Sequence, residues 1–205
     1  ASNMNNILTD FLQKGKYDVH REFYKTISPS MDILVSSNLE RLLFEISGRN
    51  ADLTAQRMAS LKNDGVYEIT EEERLLIADT FDGGFADEDA VVETIYDLFC
   101  ETGYTMDPHT SCAYKVVNDW RHKNKKDETQ IVVVSTASPY KFPQDVLYAV
   151  TGNDVRDAFK GIKRLHAATA MKVPDGLKGL KDKTVRFKTV VSKDKMFDEV
   201  LNFIK

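Results

Sequence analysis

Ile131-Val132-Val133-Val134-Ser135-Thr136-Ala137-Ser138-Pro139-Tyr140-Lys141-Phe142-Pro143 is the stretch whose reading decides the fold. Four β-branched apolar residues in a row predict a strand buried on both faces, as in the middle of a parallel sheet. Small and hydroxyl residues follow. Pro139 cannot continue a central strand, but it can open a helix. The pattern therefore reads as a buried strand, a hydroxyl-rich turn and a helix. In open α/β sheets, ligands bind at the carboxyl ends of such strands. Thr136, with Ser135 and Ser138 beside it, is the first site candidate. A plainer reading stands next to it: hydroxyl residues after a strand often only cap the helix that follows.

Upstream of this stretch the chain is mostly helical in pattern. Ile7, Leu8, Phe11 and Leu12 have helical spacing over Asn5 to Lys14, and Gly15 stops them. Pro29 pushes Ser28 away from helix, so residues 26–38 read as an irregular connector. Leu39, Leu42, Leu43 and Ile46 make a short amphipathic helix, and Asp52 to Asn63 another. Val66 to Ile69 is at most an edge strand. Thr70 and Glu73 form a capping-box signature. Asp87 to Thr102 is the longest clean helix, with an acidic first turn. Asp107-Pro108-His109-Thr110-Ser111 is turn chemistry before a helix that runs to about His122.

Downstream, Pro143 to Val150 and Asp154 to Leu165 read as helices. Thr184 to Val191 reads as a second strand, and Lys195 to Ile204 as a closing amphipathic helix. The expected class is α/β: helix-rich, with an incomplete, mostly parallel sheet and helices on its faces. Two to four strands are few for a self-sufficient sheet, whose mean is about five or six. The pattern suggests part of a larger protein.

Composition narrows the function classes. In 205 residues, 42% are hydrophobic and 29% charged, which predicts a folded rather than a disordered chain. A net charge of −4 gives no electrostatic case for nucleic acid or an anionic membrane. The one basic run, Arg121-His122-Lys123-Asn124-Lys125-Lys126, reads as a solvated helix end. No apolar run approaches the length of a membrane span. Cys100 and Cys112 lack metal-type spacing, which fits a reducing cytoplasm.

No self-contained catalytic set is visible. Gly83-Gly84 lies between two helices rather than after a strand, so it is a poor phosphate cradle. No metal signature is present. His20 and His122 sit among charges, and His166 ends a basic helix. His109 follows Asp107-Pro108 at a helix start, where either capping or function would suit it. Arg41 is either a surface charge on its helix or a binder of an anionic ligand.

Four stretches together resemble threonine synthase, a fold-type-II pyridoxal-phosphate enzyme family. They are Ser2-Asn3-Met4-Asn5-Asn6-Ile7-Leu8-Thr9-Asp10-Phe11-Leu12; Ser28-Pro29-Ser30-Met31-Asp32-Ile33-Leu34-Val35-Ser36-Ser37-Asn38-Leu39-Glu40-Arg41-Leu42-Leu43-Phe44; Asp107-Pro108-His109-Thr110; and Val134-Ser135-Thr136-Ala137-Ser138-Pro139-Tyr140-Lys141-Phe142. They occur in the family's order and span residues 2 to 142. One departure is visible: Ser138-Pro139-Tyr140 stands where many members have His-Pro-Ala.

The resemblance implies a C-terminal portion of the enzyme, with the Schiff-base lysine and the phosphate-binding loop in a missing N-terminal part. It divides the chain into a substrate-pocket segment (1–48), a helical part (49–128) and a sheet-and-helix part of the cofactor domain (129–205). The implied reaction converts O-phosphohomoserine and water to L-threonine and phosphate, with pyridoxal phosphate as cofactor. The isolated chain is then expected to be inactive. Thr136, with Ser135, is expected at the cofactor's pyridine nitrogen. Asn38, Arg41, Asp32 and His109 are expected on the substrate side. Two alternatives remain: a non-catalytic α/β domain that binds a metabolite or protein, and a related lyase such as a serine or threonine dehydratase. The Pro-Ser-Met-Asp and Ser-Ser-Asn-Leu-Glu-Arg segments argue against the dehydratase.

Overall fold

Gly15 makes the first tight corner. Helix α1 (Ile7–Lys14) ends there because Gly15 adopts φ 72°, and its N–H closes on Phe11 O at 2.8 Å. A side chain at this left-handed position would be strained and would crowd Ile69 at 3.2 Å. The turn feeds β1 (Lys16–Asp18), and Gly15 O accepts from Ile69 N at 2.9 Å. Strand β2 (Val66–Glu68) pairs antiparallel with β1, Tyr17 opposite Tyr67. These two rings stack at 5.2 Å, and Phe11 packs edge-on against both. Ile7, Leu43 and Ile77 complete this buried cluster. The computed structural model describes residues 1–204.

Helices wrap this hairpin. Helix α2 (Leu39–Ile46) packs on α3 (Ala51–Asp64), and α4 (Glu71–Ala78) packs on α1. The capping box forms as the sequence predicts: Thr70 Oγ1 accepts from Glu73 N, and Glu73 accepts from Thr70 N at 2.8 Å. Glu73 has a second duty. Arg57 of α3 grips both its oxygens, and the two side chains are buried together. Burial alone would raise the Glu73 pKa, but the Arg57 and Thr70 bonds outweigh it and hold it below the usual value.

Helices α5 (Glu88–Thr102) and α6 (Pro108–Lys123) pack together, and α7 (Pro143–Thr151) packs on α5 and on α8 (Ala158–Thr169). Asp87, Asp107 and Asp157 cap α5, α6 and α8 with their carboxylates, and the dipole favours an anion there. The basic run does end α6, and Arg121 donates to the carbonyls of Asp127 and Thr129. Gly84 lets the 82–85 loop lie against α6, since a Cβ there would meet Val116 at 2.7 Å.

The expected mostly parallel sheet is not formed among the described residues. Among the described residues the ladder is β1 with β2, plus a single parallel bridge between Ser2 and Phe85. Residues 129–136 form no strand ladder with any described residue, and Val132 and Val134 are 79% and 71% exposed. A strand needs a neighbour to take its N–H and C=O groups, and no described segment supplies one. The architecture is α/β, rich in helix, with a small two-stranded sheet.

The chain divides into two units, one through Lys172 and one from Val173 on. The second unit contains short 3-10 turns and helix α9 (Met196–Phe203), with Phe187 edge-on to Phe203 at 5.9 Å. None of its described residues is buried, and the expected strand 184–191 is unpaired in the structure. No helix among the described residues is long and apolar enough to cross a membrane.

Candidate functional site

The start of α6 is the point of convergence. Asp107 caps this helix and is completely buried. Its Oδ1 accepts from the His109 N–H at 2.9 Å and lies 3.0 Å from His109 Nδ1. On the far side of the ring, His109 Nε2 accepts from the Ser30 N–H at 3.1 Å. A backbone amide can only donate, so Nε2 carries no proton and the ring's proton is on Nδ1, directed at Asp107. Phe142 packs on the ring with centroids 4.8 Å apart.

The other Asp107 oxygen accepts the Thr110 hydroxyl, and Thr110 Oγ1 lies 3.0 Å from Ser135 Oγ. Thr110 Oγ1 is the donor towards both Asp107 Oδ2 and Ser135 Oγ. This ties the Ser135 hydroxyl to the start of α6, beside Thr136, which is exposed. Ser138, the next hydroxyl along, caps the 3-10 turn Pro139–Lys141 by accepting from Tyr140 N at 3.3 Å.

A second network holds the loop on which Ser30 sits. Asp32 Oδ1 accepts from Asn3 Nδ2 (2.8 Å), Asn5 Nδ2 (3.1 Å) and Thr26 Oγ1 (2.7 Å), and Oδ2 accepts from Thr26 N (3.0 Å). Both carboxylate oxygens of Asp32 are thus engaged inside the chain. Ser28 joins through Asn3 at 3.0 Å, and the buried Cys112 of α6 lies 3.8 Å from Ser28 Oγ. Burial pushes the Cys112 thiol up to about 11, so it is protonated and inert at neutral pH.

Asn38 and Arg41 stand elsewhere. They sit at the exposed start of α2, where Arg41 Nη2 donates to Asn38 Oδ1 at 2.8 Å. Arg41 lines a shallow groove of about 530 Å³ with Ser37, Phe44 and Thr54. No hydrogen bond among the described residues joins this pair to the His109 network. The loop before them is anchored by Tyr17, whose hydroxyl donates to Leu34 O and accepts from Ser36 N. A cavity of about 660 Å³ between α1 and α6 reaches Ile131 but contains none of the candidate residues.

Of the expected site residues, the structure links His109 and Ser135 through Asp107 and Thr110, with Thr136 adjoining; Asp32 lies in the second network, and Asn38 and Arg41 stand apart. Asp107 and Thr110 were missed as more than turn chemistry. The Asp-Pro-His-Thr spacing signals a cap. That the capping carboxylate's second oxygen reaches another segment is a tertiary fact. All four stretches cited for the resemblance meet in these two networks.

Comparison with known proteins agrees. Residues 110–204 match the family model described as "Threonine synthase, C-terminal". The pyridoxal-phosphate-bound threonine synthase of Brucella melitensis superposes over 99% of this chain, with a TM-score of 0.78 and 31% identity. By family model, by sequence and by fold, the chain is similar to the C-terminal portion of threonine synthases. The yeast threonine synthase structure covers the whole chain with a TM-score of 0.81 at 25% identity. By sequence, the threonine synthase of Pseudomonas aeruginosa is 33% identical over 152 residues, 74% of this chain. Human threonine synthase-like 1 is 32% identical over 159 residues. The chain spans 32% of the P. aeruginosa relative, 21% of the human one, and 39–40% of the two structures.

Proposed function

We propose that this chain forms the cofactor-ring side and part of the substrate pocket of a threonine synthase. The complete enzyme converts O-phosphohomoserine and water to L-threonine and phosphate with pyridoxal phosphate. The observation that carries this reading is the meeting of the four stretches in two networks, one at the start of α6 and one around Asp32, with Ser135 tied into the first and Thr136 exposed next to it. The remainder of the enzyme supplies the Schiff-base lysine, the phosphate cradle and the neighbouring strands of a parallel sheet. The relatives' greater length leaves ample chain for those parts.

The donor set fits the cofactor. Residues 131–142 offer hydroxyls and no carboxylate. A neutral hydroxyl donates to a pyridine nitrogen without protonating it, and Thr136 has that role. Bound pyridoxal phosphate supplies the electron sink for the chemistry at the substrate's α, β and γ carbons. Ser135 holds the strand end in register through Thr110. Arg41, steadied by Asn38, presents a planar guanidinium suited to the phosphate or carboxylate of the substrate. Asp32 and His109 serve the pocket by fixing residues 26–32, since their polar atoms are engaged within the chain.

Two assays test this reading. The 205-residue chain alone, mixed with pyridoxal phosphate and borohydride, is expected to show no specific single-lysine adduct and no phosphate release from O-phosphohomoserine. The complete enzyme is expected to release phosphate, and Thr136→Val to slow it on the order of tenfold to a hundredfold. A specific lysine adduct with turnover in the isolated chain would overturn the reading.

A further inference from the structure

We propose that Asp107 is a positioning residue, whose carboxylate sets the proton direction in two arms of the site at once. One arm fixes the His109 ring against the Ser30 amide, and the other divides the Thr110 proton between Asp107 and Ser135 and so holds Ser135. The inference rests on the functional reading above for its effect on turnover, but not for its geometry.

A capping residue needs only one acceptor oxygen. Asp107 uses Oδ1 for the cap, accepting from the N–H of His109 and more weakly from that of Thr110. The same Oδ1 also receives the His109 ring proton, and Oδ2 receives the Thr110 hydroxyl. The residue is fully buried, so water cannot substitute for either partner. An ionised carboxylate accepts at both oxygens and donates at neither. That one-way property is transmitted outward. His109 must show a bare Nε2 to Ser30, which pins the 3-10 turn Pro29–Met31. Thr110, its hydroxyl held by Asp107, reaches Ser135 Oγ as a donor at 3.0 Å, which positions the residue preceding Thr136.

Asp107→Asn separates the two roles. Asparagine caps a helix about as well as aspartate, so α6 and the fold are retained. The amide, however, brings a donor where an acceptor stood. Its NH2 faces Thr110, and the Thr110 proton turns wholly towards Ser135. The NH2 does not face His109, because the cap's N–H donors need an oxygen at the Oδ1 position. The Thr110 arm is therefore disturbed while the cap and the ring's proton persist. Thr110→Val cuts only the Ser135 arm and leaves the ring untouched.

The test uses the complete enzyme, labelled with 15N-histidine, with the His109 signal identified by its loss in His109→Gln. The wild type is expected to show a protonated Nδ1 and a bare Nε2, and a slowly exchanging Ser30 amide. Asp107→Asn is expected to lower kcat on the order of tenfold or more, with a melting temperature near wild type. It is also expected to mimic Thr110→Val by losing kcat with the ring signature unchanged. Thr110→Val is expected to lower kcat with the ring signature intact. The inference is overturned if an active wild type loses less than twofold in kcat in both variants. It is also overturned if the wild-type ring carries its proton on Nε2. A wild type with the expected ring signature but no turnover of O-phosphohomoserine would instead refute the functional reading and leave the geometry standing.

Discussion

Val66-Tyr67-Glu68 and Ile131-Val132-Val133-Val134 invert each other's promise. The first carries a weak strand signal and forms β2. The second carries the strongest strand signal in the chain and forms no ladder among the described residues. The difference lies in the partner rather than in the segment. Gly15 turns the chain so that Lys16–Asp18 lies alongside 66–68, and Tyr17 and Tyr67 meet face to face under Phe11. Residues 131–134 have the side chains of a buried strand and no backbone beside them. Apolar pattern reports what a segment is fit to bury, whereas a ladder also requires a neighbour.

The comparison can be broken most forcefully at the hairpin. Tyr17→Ala removes a fully buried ring from the aromatic stack and is expected to cost about 3–5 kcal/mol in urea unfolding. Arg57→Ala leaves Glu73 as a buried, unpaired carboxylate beside β2, and is expected to cost a similar 3–5 kcal/mol or so. The double change Arg57→Met with Glu73→Leu should recover most of that loss. The pair also sets a pH dependence. Glu73 is held below its unfolded value of 4.5, so its contribution is present above that value and lost as pH falls through the lower folded one. Melting curves from pH 7 to pH 3 should therefore converge for wild type and Glu73→Gln.

At the unpaired segment the expectation is opposite. Val132→Thr and Val134→Thr are expected to change the stability of the 205-residue chain by no more than about 0.5 kcal/mol each, because both are largely exposed. In the complete enzyme each should cost more, on the order of 1 kcal/mol, once a neighbouring strand covers them. The smallest effect concerns the joint between the two networks. At pH 8, alkylation of the folded chain should label the exposed Cys100 and spare Cys112, with both labelled in denaturant, as read by intact mass.

Local chemistry made much of this legible. The Thr70–Glu73 capping box, the glycine that ends α1, the acidic start of α5 and the Asp107 cap all depend on residues within a turn of each other. The resemblance picked out segments that do meet. What stayed hidden requires distant partners. Nothing near Glu73 in sequence announces Arg57, and nothing near Asp107 announces Ser135. Asp32 looks like a pocket carboxylate until its oxygens are seen to be filled by Asn3, Asn5 and Thr26. Asn38 and Arg41 belong to the same stretch as Asp32, yet they start a different helix.

Hydrogen exchange across residues 129–136 tests the central claim most directly. It would be measured in the 205-residue chain and in the complete enzyme, with and without pyridoxal phosphate. The amides of Val132 to Val134 should exchange quickly in the isolated chain and become strongly protected in the complete enzyme, with Ser135 and Thr136 slowed further by the cofactor. Equal exchange in both proteins, or no response of Ser135 and Thr136 to the cofactor, would contradict the assignment of this stretch as the cofactor-facing strand.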